Sequence, residues 1–594
     1  MKPAFRSSEV QIFFQQIKQH GYFHAINAIL WRFKMAFAKF FLKFQDRFGF
    51  YRYPEWIRKY ESKQNPPPKN ASNLRINFLI LYSGSPLSLA DTLDALLTQS
   101  YTKWDAYIYT STPDTQEPHL NSYQAEPRIH FLLSTSLPPQ VDSLSEFTGD
   151  WFGFLNAGDT LSVNALAFIV SELGLHPEAK VIYADNDKLS PDGLTRHSPS
   201  FWPDWSPELL LSVNYLGYAL FHRLTFFEAV AKFEDLEGAL LYATELTDLI
   251  IHIPRVLYHV REGQSLVWFN EKFQSTSLIA HLERTGRQDA SVHTHPITSL
   301  PKFSWSFGQS LVSIIIPTRD QVVLLEHCIE SILSQTSYTP FEIILVENNS
   351  QERETFTYYE QLKSYPQVKI LTHDHPFNYS AFNNWGVKQT QADLLLFLNN
   401  DIETIDSAWL EEMVRWASRP KVGAVGAKLL YPNRTIQHAG LVVGLEGHAN
   451  HIFASCQEGY SGIFGSTEWY RNYSAVTGAC MMMRRDVFEQ VGGFNEEYKL
   501  AFNDIEICLR MIQAGYRVVY TPFARLVHHE GATRSTYKPS TDIKLATQHL
   551  EPLIQQGDPF YNPNLSLLNR IPTLRRHDEV PSLQRLEMIT KYLS

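Results

Sequence analysis

LVSIIIPTRD (residues 311–320) and FEIILVENNS (residues 341–350) are two short apolar runs, each closed by a polar cluster. Between them Leu325, Cys328 and Leu333 recur at a spacing that fits one face of a helix. A buried run, an amphipathic helix and a second buried run make a βαβ unit, and a chain that repeats such units builds a parallel sheet. The same pattern opens earlier, with LRINFLILY at 74–82, a helical stretch through Leu93, Leu96 and Leu97, and WDAYIYT at 104–110. These units read as copies. LLTQSYTKWDAYIYT (96–110) parallels ILSQTSYTPFEIILV (332–346), and GDWFGFLNAGDT (149–160) parallels ADLLLFLNNDIE (392–403). Each copy ends in a related segment, IIHIPRVLYHVR at 250–261 and YRVVYTPFARLVHHEG at 516–531. The expected fold class is therefore α/β, two tandem Rossmann-like domains with mostly parallel sheets.

The chain has 594 residues, more than one hydrophobic core organises. A hydrophobic fraction of 44% with 19% charged residues excludes a disordered or fibrous protein. A net charge of -10 leaves no excess of Lys and Arg to neutralise phosphates, so no nucleic-acid partner is expected. Residues 1–60 run against this balance, with 11 Lys/Arg and 3 Asp/Glu. WRFKMAFAKFFLKF (31–44) gives a helix one aromatic face and a basic flank, a pattern that suits a membrane interface or docking on the protein's own core. Peripheral membrane contact through residues 10–50 follows from the first use. KQNPPPKN (63–70) reads as a linker, since three successive prolines fit neither helix nor sheet interior. No uncharged apolar run approaches the roughly 20 residues that span a bilayer, and the N-terminus lacks the order of a signal peptide. The four cysteines lack metal-ligand spacing. A cytoplasmic protein is expected, with the arm able to hold it at the cytoplasmic face of the inner membrane. The expected divisions are 1–70 for arm and linker, 71–304 and 305–560 for the two α/β domains, and 561–594 for a C-terminal tail.

In open parallel sheets ligands bind beyond the carboxyl ends of the strands. The second copy places Thr318 and Asp320 after its first strand, Glu347, Asn348 and Asn349 after its second, and Asn399, Asn400 and Asp401 after another. Neither a P-loop nor a G-x-G-x-x-G follows the first strand, which argues against a Walker ATPase or a dinucleotide site.

The ordered set IIIPTRD, VENNS, FNYSAFNNWGV, FLNND, HAG, AVTGACMMMRR, VGGFNEEY, FNDIEICLR and LVHHEG resembles bacterial family-two glycosyltransferases of the GT-A fold, over about residues 311–535. It is most similar to their rhamnosyltransferase-like branch from O-antigen and capsule clusters. The resemblance implies an inverting, metal-dependent transfer of a sugar from a nucleotide-diphosphate donor to a glycan or lipid-linked oligosaccharide acceptor. FLNND matches a degenerate DxD motif, so Asp401 would hold Mg²⁺ or Mn²⁺, with Asn399 at the donor's ribose or a bridging water. His528 of LVHHEG stands at the position of a metal-binding histidine, and His529 would point the other way. Asp504 of FNDIE matches the catalytic base, while Asn503 and Glu506 fit a helix-capping pattern. Thr318, Asp320, Glu347, Asn348 and Asn383 would bind the donor, and Gly478 would leave room beside its sugar. HANHIFASCQEGYSGIFGSTEWY (448–470) has the length and glycine content of a mobile acceptor loop, with His448 and His451 as surface residues.

The first copy resembles the amino-terminal module of tandem enzymes in this family through VIYADNDKLSPDG, FWPDWSPELLLSVNY and HIPRVLYHVR. It departs where the chemistry should be. Thr110 and Ser111 replace the acidic pocket residue, and Leu241 in EGALLYATEL stands where the base is expected. Asp185 and Asp187 read as solvated loop charges. The first domain is thus expected to be a non-catalytic support. A bifunctional enzyme and a non-catalytic glycan-binding scaffold are the alternatives.

Overall fold

The computed structural model describes residues 53–61, 73–82, 86–110, 120–133, 147–233, 235–263, 268, 270–295, 300–529 and 538–593. The arm expected at 10–50 and the linker at 63–70 lie outside the described residues. The short helix Tyr53–Tyr60 docks on the protein, with Trp56 buried edge-on against Phe201 at 5.6 Å.

The first sheet contains β1 (Ile76–Tyr82), β2 (Trp104–Thr110), β3 (Ile129–Leu133), β4 (Trp151–Asn156), β5 (Thr160–Leu161), β6 (Val181–Leu189), β7 (Arg196–Ser200), β8 (Leu220–His222) and β9 (Ile250–Arg261). Its order is β3-β2-β1-β4-β8-β6-β9-β5, with β7 paired to β6. A hairpin of β10 (Ser291–Thr294) and β11 (Pro301–Ser304) leads to the second sheet. That sheet begins with β12 (Val312–Thr318), β13 (Phe341–Glu347), β14 (Val368–Thr372), β15 (Leu394–Leu398), β16 (Ile402–Thr404), β17 (Val422–Leu430) and β18 (Ile436–His438). Two small hairpins intervene, β19 (Leu441–Val443) with β20 (Ala449–His451) and β21 (Ser461–Gly462) with β22 (Gly465–Ser466). The sheet resumes with β23 (Arg471–Asn472), β24 (Cys480–Arg484) and β25 (Arg517–His528). Its order is β14-β13-β12-β15-β24-β17-β25-β16, with β18 paired to β17 and β23 to β25. Position for position this is the order of the first sheet, so the repeat in the sequence is a repeat of topology.

The apolar runs that mark the strands are buried on both faces, as sheets covered by helices require. In the helix Val322–Gln335, Leu325, Cys328, Ile329 and Ile332 form the buried stripe. The helix Tyr379–Val387 lies so close to β12 that a Cβ on Gly386 would fall 2.6 Å from Ile315 Cγ2. Glycine there is a packing requirement.

The two units share a core. One continuous cluster runs from Phe152, Tyr183 and Leu241 in the first to Ile314, Trp416 and Val519 in the second. At its polar edge Arg517, the first residue of β25, makes a two-pronged pair with the buried Glu208, its Nη2 and Nε lying 2.9 and 3.1 Å from the carboxylate. Ser206 Oγ donates to Asn472 Oδ1 at 2.8 Å beside this pair. The expected tail at 561–594 is no loose end, because Asn562 and Leu565 are buried and Asn562 Nδ2 donates to both oxygens of Asp185 at 2.9 Å.

Removing one member of a buried pair strands the other charge, at a cost of about 3–5 kcal/mol. Glu208→Ala should lower the stability measured by denaturant unfolding by about that amount. The double replacement Glu208→Met with Arg517→Met should recover most of the loss.

Candidate active site

β12 and β13 end in register, with Thr318 opposite Glu347. The polar residues there tie the strand ends together. Asn348 N donates to Thr318 O at 3.0 Å, and Asn348 Nδ2 donates to His375 O at 2.8 Å and His373 O at 3.3 Å. Glu347 Oε1 accepts from Ser350 N at 2.5 Å, closing the turn after β13. Asn400 Nδ2 donates to Thr318 Oγ1 at 3.2 Å. Asp320 Oδ1 accepts from Gln351 N at 2.7 Å and Glu352 N at 3.0 Å, so its carboxylate holds the neighbouring loop. Asn383 departs from expectation. It is fully buried in the helix Tyr379–Val387, its Nδ2 donating to Tyr379 O at 2.9 Å, and a donor molecule cannot reach it there.

Asp401 and His528 meet because β16 and β25 are antiparallel, with Ile402 opposite His528. His528 Nε2 lies 3.1 Å from Asp401 Oδ1 and 3.4 Å from Asn399 Nδ2, and both Asp401 and His528 are buried. Among the described residues no group of three or more His, Cys, Asp or Glu converges on a metal position. A carboxylate oxygen and an imidazole nitrogen at 3.1 Å nevertheless fit adjacent ligands of one ion, since two bonds of about 2.1 Å at right angles end roughly 3 Å apart. His529 points away, its Nε2 3.0 Å from Glu403 Oε2.

The same strand ends reach Asp504. Asn399 N donates to Ala479 O at 3.0 Å, and the preceding residue, Gly478, donates its N–H to Asp504 Oδ2 at 3.0 Å. The other oxygen, Oδ1, accepts from Ile505 N at 2.9 Å. Burial raises the Asp504 carboxyl above its ordinary range, against the pull of these amides and of Lys538. Gly478 is sterically required, because a Cβ there would lie 2.9 Å from Tyr379 Oη, which itself donates to Gly478 O at 2.8 Å. The capping pattern expected of Asn503 and Glu506 does not form. The helix runs Asn503–Gln513 after a left-handed Phe502, and Glu506 pairs with Arg510 at 2.7 Å, an i,i+4 geometry more favourable than reaching back around that bend.

The segment 448–470 is not an open loop. Phe453, Cys456 and Phe464 are buried in a cluster with Tyr561 and Leu565 from the C-terminal segment. His448 is likewise buried, its Nε2 2.8 Å from Thr547 Oγ1, and His451 packs against His438. Sequence spacing does not reveal the pairing of His438, in the HAG motif, with His451, because the two meet across a β-hairpin junction.

In the first unit the equivalent positions are filled. Asp159 precedes β5 as Asp401 precedes β16, and β5 pairs Thr160 with His259 as β16 pairs Ile402 with His528. Yet His259 Nδ1 is bound to Asp187 Oδ1 at 2.7 Å. Asp159 accepts from Asn156 N, Asn156 Nδ2 and Arg261 N, each at 3.0 Å, and burial pushes its carboxyl up to about 6. Arg261 closes over the loop, its Nε donating to Gly158 O at 3.2 Å and its Nη2 to Asp91 at 2.5 Å. Trp268 seals the neighbouring strand end, donating from N to Asn156 Oδ1 at 2.9 Å and from Nε1 to Leu155 O at 2.8 Å. Thr110 stands at Glu347's register position, as expected. Leu241 is not the counterpart of Asp504. The second residue of the helix Leu236–Glu245 is Glu237, just as Asp504 is the second of Asn503–Gln513, and Glu237 is spent on Gln274 N at 2.8 Å. Asp185 and Asp187 are fully buried rather than solvated, because each anchors a separate segment: Asn562 on Asp185, Tyr53 and Arg196 on Asp187.

Residues 313–492 match the model for glycosyl transferase family 2, and residues 460–531 match that for the N-terminal domain of galactosyltransferase. The chain is 40% identical over 524 residues to the O-antigen biosynthesis protein RfbC of Myxococcus xanthus, covering 84% of this chain and 41% of that protein. It is 35% identical to the uncharacterized protein y4gI of Sinorhizobium fredii, over 86% of this chain and 59% of the relative. The O-antigen chain rhamnosyltransferase RfbN of Salmonella typhimurium is 28% identical, over 37% of this chain and 67% of its own length. The chain thus spans only two-fifths to three-fifths of the first two relatives.

A carboxyl whose folded pKa is raised destabilises the fold once pH climbs above its unfolded value, and the penalty is absent below that value. The melting temperature of Asp504→Asn relative to wild type should therefore rise as pH climbs above about 4, on top of a constant cost for the hydrogen-bond acceptor that the amide lacks. Below about pH 4, where the carboxyl is protonated in both states, the difference should stop changing with pH. Thermal unfolding of the two proteins across pH measures this directly.

Proposed function

From the premise that residues 313–492 are a family 2 glycosyltransferase domain, we propose that this chain transfers a sugar, with inversion, from a nucleotide-diphosphate sugar to a glycan or lipid-linked glycan of a cell-surface polysaccharide. One observation carries the reading: a half-buried carboxylate, Asp504, shares a hydrogen-bonded run of backbone with the Asp401–His528 pair through Ala479 and Gly478. The acceptor hydroxyl attacks the anomeric carbon, the bond from that carbon to the diphosphate oxygen breaks, and the hydroxyl proton passes to Asp504. A carboxyl raised by burial is a stronger base than an exposed one, and the Gly478 amide fixes its direction. Asp401 and His528 would hold Mg²⁺ or Mn²⁺, which when bound neutralises the departing diphosphate. Thr318, Glu347 and Asn348 line the strand ends where the nucleoside would lie, with Asp320 holding the loop beside them. The absence of a side chain at Gly478 admits the Tyr379 hydroxyl beside the base.

The first unit serves as a non-catalytic support. This reading is supported by Arg261 and Trp268, which bond to the Gly158 and Leu155–Asn156 strand ends, and by the shared core and Glu208–Arg517 pair that join the unit to the second. Among the described residues no helix is long and apolar enough to cross a membrane. The basic composition of residues 10–50 supports a cytoplasmic enzyme held near a membrane-borne acceptor.

The test is nucleotide release from UDP-, GDP- and dTDP-sugars with Mn²⁺ and a lipid-linked oligosaccharide extract. One donor should turn over, and Asp504→Asn should reduce that turnover by about 10²–10⁴-fold, the usual contribution of a general base. Turnover should rise with pH through a group above the ordinary carboxylate range. Turnover of no donor, with glycan binding intact, would replace this reading with a scaffold.

A further inference from the structure

Two histidines beside the site take no part in the chemistry above. His438 closes β18 and His451 closes β20, and their Nδ1 atoms are 2.9 Å apart. The N–H of Thr477 donates to His438 Nε2 at 3.4 Å. Thr477 immediately precedes Gly478, whose own N–H holds Asp504.

These contacts fix where the protons sit. A backbone N–H can only donate, so His438 Nε2 is the acceptor and carries no proton. A neutral His438 then bears its proton on Nδ1 and gives it to His451 Nδ1. His451 is left with its own proton on Nε2. His451 is half-buried, and that atom has no hydrogen-bond partner among the described residues. Neither ring charges readily, because burial pushes His438 far down and His451 to about 3. The permanent charges acting on His451 are Arg570 and Lys538, both positive. A neutral N–H donor surrounded by cationic groups recognises an anion better than a sugar hydroxyl.

Resting on the glycosyltransferase reading, we propose that His451 is a specificity and positioning residue whose Nε2–H, oriented by the Thr477–His438 relay, binds a phosphate oxygen of the nucleoside diphosphate, with Lys538 supplying the adjoining charge. No bond to His451 forms or breaks. Its hydrogen bond strengthens as negative charge gathers on the departing diphosphate. Because Thr477 and Gly478 are consecutive, the same backbone segment orients the leaving-group contact and the base.

Two variants separate a donor from mere packing. His451→Phe keeps the ring shape without the N–H, and His451→Gln keeps an N–H donor. Calorimetric binding of UDP, GDP and dTDP, each with Mn²⁺, should identify the nucleotide that wild type prefers. His451→Phe should weaken that nucleotide about ten-fold and His451→Gln should restore it to within about three-fold, the scale of one charge-assisted hydrogen bond. The KM for acceptor should not change. Equal binding by wild type and His451→Phe, or equal loss in both variants, would overturn the proposal. Should His451→Phe fail to fold, ¹⁵N shifts of the wild-type histidines decide the tautomer: a protonated Nδ1 on His451 would also overturn it. If wild type binds a nucleotide but turns over no sugar, the proposed reaction fails while the diphosphate contact stands.

Discussion

One strand, β25, sets the geometry of the second unit. Its first residue, Arg517, is clamped by Glu208 of the first unit, and its last, His528, lies against Asp401. Between them the chain is held in parallel pairing with β17 and antiparallel pairing with β16. Its side chains are almost all buried, so it has no freedom to slide. A one-residue shift in register would turn His528 to the opposite face and put His529 in its place. The buried ion pair at one end therefore fixes the position of the paired carboxylate and imidazole at the other.

The first unit shows what the same topology becomes when the strand runs two residues past the equivalent histidine, His259. Its β9 terminates in Arg261, and the guanidinium turns back over the Asp159 loop. The Asp159 carboxylate itself is held by backbone and amide N–H groups, including the backbone N–H of Arg261. Trp268 then fills the adjoining strand end with an indole. This unit retains the shared core and a set of buried carboxylates, Asp185 and Asp187, that hold distant segments of the chain in place.

Where sequence patterns misled, the residue had taken a partner or position the pattern does not show, nearby in some cases and distant in others. Asn503 and Glu506 have capping-box spacing, but a left-handed Phe502 and the nearby Arg510 give Glu506 a better partner. Asp185 and Asp187 sit among turn residues and look solvated, yet their partners lie at Asn562 and Tyr53. His448 and His451 belong to a glycine-rich stretch that looks mobile, and the C-terminal segment covers it. Leu241 does not stand where a base would be: Glu237 holds that helical position, and Arg261 closes the site.

The duplicated α/β plan, the strands that bear the site and the candidate residues Asp401, Asp504 and His528 were all legible in the chain before any fold was known. The plan and the strands depend on local period and composition, which a stretch of ten residues already carries; the three residues stood out through the ordered motifs that resemble family-two glycosyltransferases. Which polar side chains are left for chemistry was settled by packing in three dimensions. That choice depends on which partners arrive from hundreds of residues away, and a buried polar group must take whatever partner reaches it.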